Sequence, residues 1–584
     1  MRRGICLALC LIILFSATAF AEVEEPEYQY SGDYCYYLQA DGTASIQLYR
    51  GKDSIITIPE TLNNSSVSTI DAWAFSYAAG LRQVNFGKNI VNIKPGAFLY
   101  CTELEAIEAS DNPVYVSLDG VLFDAAAKEL HTYPGGKQGK TYPIPKGAKA
   151  IGDFAFTGNE TLAAIEIHEA VTDIGNHAFY GCSGLSGVAI PGSVKRIGDW
   201  AFSGCAALSE VKFADGLFSI GEGAFYGCSS LKAAMIPDSV ASIGKGAFHE
   251  CESLMSVKLP KNIAAVEDWL FFLCRKLTDV TVPDGVRTIG KYAFYGCGSL
   301  REMTLPESIS VIEENAFCRC DGLKNIRIPQ GVLFIGGGAF SAYDKLSAFE
   351  VAPDNKTYAQ LGGVLFDKTK KLLHTYPGGK AETRYSIPQG IVSIGQDAFL
   401  GNVALREITI PESVVEIGRD AFYNCDSLES IHVAKKNKKF EDDQGVLFTR
   451  GKDILLQYPP RMSGVIYVVP AETTAIGDGA FGFCPDLLKI TLCAGIKSIG
   501  DHAFSGSFIR EMVIPEGVEH IGGYAFELCA EMQSITLPAS LRSIGEDAFL
   551  DCPALVLSVA EGSYALQYAK ENELQYILYA DWLK

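Results

Sequence analysis

The chain has 584 residues, 48% of them apolar, and a formal net charge of -20. That apolar share suffices for a large core, while the acidity argues against nucleic acid and anionic membrane as main partners, because phosphate binding needs clustered Lys and Arg. Solubility is the favoured reading of this acidity, with an acidic binding surface as the alternative.

Residues 1–21 read as a signal peptide: Arg2 and Arg3, an apolar run over 5–15, then Ala19-Phe20-Ala21 as a small-x-small cleavage site. No later window offers about 18 consecutive apolar residues, so no membrane span is expected after cleavage. Residues 22–57 read as a leader, loosely ordered over 22–30. A hairpin follows over 34–48, turning at Asp41-Gly42 and capping what comes next.

From residue 58 one phrase organises the chain. Ile-Gly-x-x-Ala-Phe-x-x-Cys recurs, and its phenylalanine falls at Phe179, Phe202, Phe225, Phe248, Phe271, Phe294, Phe317 and Phe340, 23 residues apart each time. A period of this size marks a solenoid whose units bury their apolar faces only by stacking. Within a unit, Val257 and Leu259 alternate with Lys258 as a short strand, and Pro260 ends it. Asp268-Trp269-Leu270-Phe271 is expected to form about one helical turn, and the glycine after the isoleucine to support a tight bend. The fold class is thus an α/β repeat solenoid.

Twelve of the seventeen cysteines sit three residues after a repeat phenylalanine, and Asn159, Asn402 and Ser507 occupy the same slot elsewhere. Cys and Asn exchange where a small side chain bonds backbone inside a turn, so a buried reduced ladder is expected. A zinc site needs four ligands at one point, whereas these slots form a line. Coils stacked about 4.8 Å apart leave bridges between neighbouring thiols open.

The rhythm breaks after Phe98, Phe340 and Phe422, by 58, 59 and 59 residues. Each gap holds a related segment, Gly120-Val121-Leu122-Phe123, Gly363-Val364-Leu365-Phe366 and Gly445-Val446-Leu447-Phe448, followed by a second apolar run. β-Hairpin inserts are expected near 112–145, 355–388 and 437–470. The array over 58–562 holds 17 phenylalanine-bearing repeats, and 563–584 reads as a helix-strand cap with Ser563 at the helix N-cap.

The extended phrase Ile-Gly-x-x-Ala-Phe-x-x-Cys-x-x-Leu-x-x-Val-x-Ile-Pro, seen at 197–208 and 289–306, resembles the BspA-type leucine-rich repeat family of bacterial and some protist surface proteins. The resemblance implies a curved, right-handed solenoid with a parallel sheet on its concave side. It also implies export, and in several members adhesion to host matrix proteins or other cells. An anchoring module, an immunoglobulin-like stalk and a choline-binding tail are not seen in this sequence.

Signals for catalysis are weak. The eight histidines scatter over different slots without metal-ligand spacing. His131 and His374 share a slot in the inserts, but Leu456 stands there in the third, which favours a structural role. No nucleophile elbow or P-loop occurs, and Gly336-Gly337-Gly338 lies in a repeat bend. Glu313-Glu314 and Asp442-Asp443 are acid pairs of the kind that act in acid/base or calcium sites, but solvated surface charge is the strongly favoured reading in a chain this acidic. No cofactor and no metal are expected.

The exposed strand position between two inward residues is the candidate ligand strip. Lys212, Met235, Lys258, Arg327, Glu350 and His432 occupy it, with a mildly basic section from Lys212 to Arg327. Threonine fills other places in the row because β-branched residues suit strands. The expected function is a secreted or surface-associated, adhesin-like protein binding an extracellular protein or glycan. A secreted carbohydrate-active enzyme or accessory module and a structural envelope component are the alternatives; the strip carries no Trp or Tyr, which disfavours the first.

Overall fold

A computed structural model of the chain describes residues 26–341 and 345–579. The expected signal peptide at 1–21 and the last five residues of the expected cap lie outside them. The described residues form two compact units, divided between residues 137 and 138.

In the first unit Tyr34–Leu38 and Ala44–Tyr49 pair antiparallel about the Asp41-Gly42 turn, where Asp41 Oδ1 accepts from Thr43 N at 2.9 Å. The leader is more ordered than expected. Tyr28–Ser31 adds a third antiparallel strand, held by the Tyr36 hydroxyl donating to Gln29 at 2.8 Å and by the Tyr28 ring edge-on to Tyr37. Coil stacking then begins: Ile55–Thr57, Gln83–Phe86 and Ala106–Ala109 pair in parallel, and Tyr49, Phe75 and Phe98 form an aromatic column with centroids 5.3 and 5.2 Å apart.

In the second unit the regular coils build two parallel ladders, the first of them lacking a strand over residues 301–306. One is the three- or four-residue strand seen in the sequence, such as Gly187–Ile190 on Glu210–Phe213. The other is a two-residue strand ending on the isoleucine of Ile-Gly: Asp173–Ile174, Arg196–Ile197, Ser219–Ile220 and Ser242–Ile243 follow one another in register. Between them the phenylalanines stack face to face. Phe202, Phe225 and Phe248 lie 5.3 Å apart, nearly coplanar in tilt, and none is exposed to solvent. Full burial of such rings is the dominant favourable contribution of each coil.

The cysteine slot feeds the same column. Cys205, Cys228 and Cys251 each donate through Sγ, at 3.2 Å, to the carbonyl of the preceding coil's phenylalanine. In the asparagine variant Asn402 Oδ1 instead accepts from Leu405 N at 2.8 Å while Nδ2 reaches Gly378 O. Cysteine and asparagine are interchangeable because both satisfy backbone in a site that excludes water. Burial pushes the Cys182 and Cys425 thiols up to about 12, away from the reactive thiolate, and every described cysteine is free.

The expected helical turn does not form. Trp269 has left-handed backbone at φ 54, and the N–H groups of Trp269 and Phe271 donate to Lys291 and Ala293 of the next coil at 2.8 Å. Helix bonding would return those donors to their own coil. The stack wins because it pairs them while keeping the phenylalanine inside. Among the described residues the α-helix is Tyr564–Glu571, with Ser563 Oγ accepting from Leu566 N as its N-cap, so the chain is a β-solenoid of repeats and not α/β.

The Ile-Gly glycine does not serve a positive-φ bend either. A Cβ on Gly198 would lie 2.5 Å from the Gly175 carbonyl carbon, and one on Gly221 2.6 Å from the Asp199 nitrogen. Glycine is there to let coils approach. Where Glu267 replaces it the two-residue ladder is interrupted, Ala265–Val266 starting a new sheet. At Glu313 the ladder continues, Thr288–Ile289 pairing with Val311–Ile312.

The second and third inserts hold three antiparallel strands each: Tyr358–Leu361, Val364–Asp367 and Leu372–Thr375, then Phe440–Asp443, Val446–Thr449 and Ile454–Gln457. The third strand of each pairs in parallel with the next two-residue strand, which returns the chain to the ladder. Tyr376 and Tyr458 take the phenylalanine place, 5.2 and 5.3 Å from Phe399 and Phe481. Buried Asn355 and Asn437 fix the entry: Asn355 Nδ2 donates to Pro329 O at 2.7 Å while Oδ1 accepts from Tyr358 N at 2.7 Å, and Asn437 repeats the pattern at Pro411 and Phe440.

Candidate functional site

The strip residues sit where strand alternation puts them. Val257 and Leu259 point inward and Lys258 outward, and the register pairs Met235 with Lys258 and Lys258 with Thr281. Arg327 pairs with Glu350, and Thr409 with His432. Lys212, Met235, Lys258, Arg327, Glu350 and His432 are all exposed.

These residues do not converge on one place. Lys212 belongs to the sheet ending at Glu210–Phe213, Met235 and Lys258 to the next sheet, and Arg327 and Glu350 to a third. The basic section is also neutralised. Lys212 Nζ lies 3.3 Å from Glu210, Lys258 Nζ 3.5 Å from Asp238, and Arg327 Nη1 donates to Glu307 at 2.6 Å. That hydrogen bond holds the Glu307 carboxyl below its usual range. His432 stands between Glu407 and Asp442, at 3.7 and 3.6 Å, with Ser430 Oγ 3.2 Å from Nε2. The strip therefore offers paired charges on a flat sheet face, each pair worth little to stability at such exposure. Their geometry suits reading a partner's own charge pattern.

The acid pairs and histidines are placed as follows. Asp442 Oδ1 accepts from Val433 N at 2.7 Å, Asp443 pairs with Lys452 at 2.7 Å, and Glu314 with Lys291 at 3.7 Å. Among the described residues no three His, Cys, Asp or Glu side chains gather as a metal site. His374 Nε2 lies 2.9 Å from Ile335 O and Nδ1 2.8 Å from Thr375 Oγ1, and His131 has the same two contacts at Ile93 and Thr132. Burial lowers both imidazole pKa values, so each is a neutral structural ring.

Sequence reasoning missed a second surface, on the turn edge. Tyr226, His249, Phe272 and Tyr295, one residue after successive repeat phenylalanines, stack at 4.6, 4.6 and 4.8 Å. Two residues before the phenylalanines stand Trp200, over Tyr226, and Trp269, against Tyr292. All of these rings are partly open to solvent, Trp269 at 39%. Trp200 and Trp269 have φ of 57 and 54, a region bulky residues enter at a cost of about 1–3 kcal/mol. Gly223 and Gly246 fill the same slot between them. Reading the columns on either side of the phenylalanine, as the strand column was read, would have found this row.

Among the described residues no helix is long and apolar enough to cross a membrane. None of the curated proteins matches the chain. Among solved structures it is similar to a leucine rich cell surface protein from Faecalibacterium prausnitzii, at 23% identity over 94% of this chain and 98% of that one, with a TM-score of 0.30. It is also similar to a leucine-rich repeat protein from Bacteroides ovatus, at 20% identity over 96% and 100% with a TM-score of 0.23. The pneumococcal vaccine antigen PcpA matches at 16% identity over 96% and 100%, with a TM-score of 0.29. The BspA type leucine rich repeat region matches over residues 53–120, 137–255, 241–372, 380–444 and 466–565. This is most of the sequence, and the chain belongs to that family.

Proposed function

We propose that the chain is an exported, adhesin-like protein that binds an extracellular protein or glycan through the exposed face of its strand ladders and does not act as an enzyme. Export is supported by the leader at 1–21, and membership of a repeat family supports binding over catalysis. The observation that carries the reading is the register itself. Met235, Lys258 and Thr281 pair in order, and so do Arg327 and Glu350, so identical slots present side chains at repeating intervals. A rigid row of this kind suits an extended partner.

Binding of the mature chain to arrayed extracellular-matrix proteins and glycans tests it. Lys212→Glu, Lys258→Glu and Arg327→Glu together would place carboxylates beside Glu210, Asp238 and Glu307. The expected result is loss of the captured partner with the fold intact by circular dichroism. Unchanged capture would sink the strip as the binding surface.

The aromatic turn edge favours glycans as a second ligand class, since Trp and Tyr faces stack on sugar rings. A Trp200→Ala, Trp269→Ala variant that loses glycan capture but keeps protein capture would assign the two surfaces separately. Fractionation of cells and medium distinguishes a released binder from an envelope component.

A further inference from the structure

We infer that a hollow across successive coils, lined by residues between 278 and 345, is an anion site for a sugar bearing a sulfate or phosphate ester. The hollow has a volume of about 410 Å³ and is lined by Arg301, Lys324 and Lys345 with Thr278, Ser299 and Gly322. It exists because the residues at its floor are small. Cys297 is followed by Gly298 and Ser299 and Cys320 by Asp321 and Gly322, where the preceding coil carries Arg275 and Lys276. A Cβ on Gly322 would meet Leu300 O at 2.5 Å and Gly298 O at 2.8 Å, so the floor is close-packed backbone and not a gap awaiting a side chain.

The charge pattern separates this hollow from the strip. Lys212, Lys258 and Arg327 each have a carboxylate partner. Arg301, Lys324 and Lys345 are exposed and make no ion pair within 4.0 Å with any described residue, although Asp279, Glu302 and Asp321 lie on the same coils. Among the described residues these three cations lack an ion pair and border one concavity, where Asp321 Oδ2 lies 3.9 Å from the place of a Cβ on Gly298; their excess positive charge, in a chain with net charge -20, is complementary to a di- or monoanionic oxyanion. Thr278 and Ser299 line the same space, the Thr278 hydroxyl donating to Met255 O at 3.1 Å, and their side chains are of the kind that matches sugar hydroxyls. Sulfate and phosphate esters present the same tetrahedral chemistry.

Calorimetric titration of the mature chain at low ionic strength, with a hexose 6-sulfate, a hexose 6-phosphate and the unsubstituted hexose, tests the site. One or both esters are expected to bind while the plain hexose does not, and the stronger ester identifies the source. Arg301→Ala with Lys324→Ala should weaken the ester about tenfold or more, the loss expected when hydrogen bonds from charged donors are removed. Lys345→Ala alone should give an intermediate loss. Lys212→Ala with Lys258→Ala should leave ester binding unchanged, which separates this site from the strip. Thermal melts check that each variant is folded. Equal binding of the unsubstituted hexose, absence of ester binding at millimolar concentration, or full affinity in the Arg301→Ala, Lys324→Ala variant would overturn the inference. Ester binding without capture on macromolecule arrays would leave it standing and remove the adhesin reading instead.

Discussion

Asp397 occupies the slot two residues before a repeat phenylalanine, with left-handed backbone at φ 55 and almost no exposure. Burial first, and then the Asp420 carboxylate, push its acid from 3.8 to about 6; Glu314 and Arg419 also face it, and Gln396 Nε2 donates to Oδ2 at 3.2 Å. Because the folded value lies above the unfolded one, the native state prefers the proton. The group's contribution is whole below about pH 4 and is lost as pH rises through about 6. At about 1.4 kcal/mol per unit, ionised Asp397 costs at most about 3 kcal/mol at neutral pH. Asn has the same shape, tolerates the left-handed region and carries no charge. Asp397→Asn should therefore be more stable than the parent by about 1–3 kcal/mol in urea denaturation near pH 7.5, and equal to it near pH 3.5. A gain of the same size at both pH values would show that charge is not its cause.

At the scale of the coil, hydrophobic periodicity carried most of the information. The 23-residue step, the inward phenylalanine, the outward strand residue and the backbone-bonding cysteine were all legible, since each reports burial, and burial repeats with the sequence. Backbone conformation was not. Nothing in an apolar pattern distinguishes a helical turn from the left-handed step at Trp200 or Trp269, because both leave the phenylalanine inside. The Ile-Gly glycine illustrates the same limit: its presence was visible, but its reason, the approach of Gly198 to Gly175, depends on a neighbour 23 residues away. That reason makes a prediction. With only 2.5 Å between the missing Cβ and the Gly175 carbonyl carbon, Gly198→Ala must separate two coils and weaken their ladder. The expected cost is about 1–3 kcal/mol or more by urea denaturation. Gly42→Ala, whose Cβ would meet nothing within 4 Å, controls for a glycine whose cost is conformational alone. If Gly198→Ala were neutral, close approach could not be what selects glycine.

At the scale of the whole molecule, composition gave net charge but not its local balance. Lys258 looked like part of a basic row until the fold brought Asp238 to 3.5 Å, whereas Arg301, Lys324 and Lys345, which come from two different repeat slots, line one hollow. Pairing is a property of register, so it became visible only once coils were stacked. The same stacking determines how damage spreads in the second unit. Phe225 contacts Phe202 and Phe248, each 5.3 Å away, and its carbonyl accepts from Cys251 of the next coil. Among the described residues the other ring against it is Phe213, edge-on at 5.8 Å. Phe225→Ala removes a fully buried ring, a change that costs about 3–5 kcal/mol. In a solenoid with nearest-neighbour coupling that loss stays local. Hydrogen exchange read by mass spectrometry should show faster exchange across the coils bearing Phe202, Phe225 and Phe248, and unchanged protection at Phe481, Phe504 and Phe526, which stack among themselves at 5.2 and 5.1 Å. A uniform rise throughout the second unit would mean that it opens as one cooperative block, and that coil-to-coil contacts are not the units in which its stability is stored.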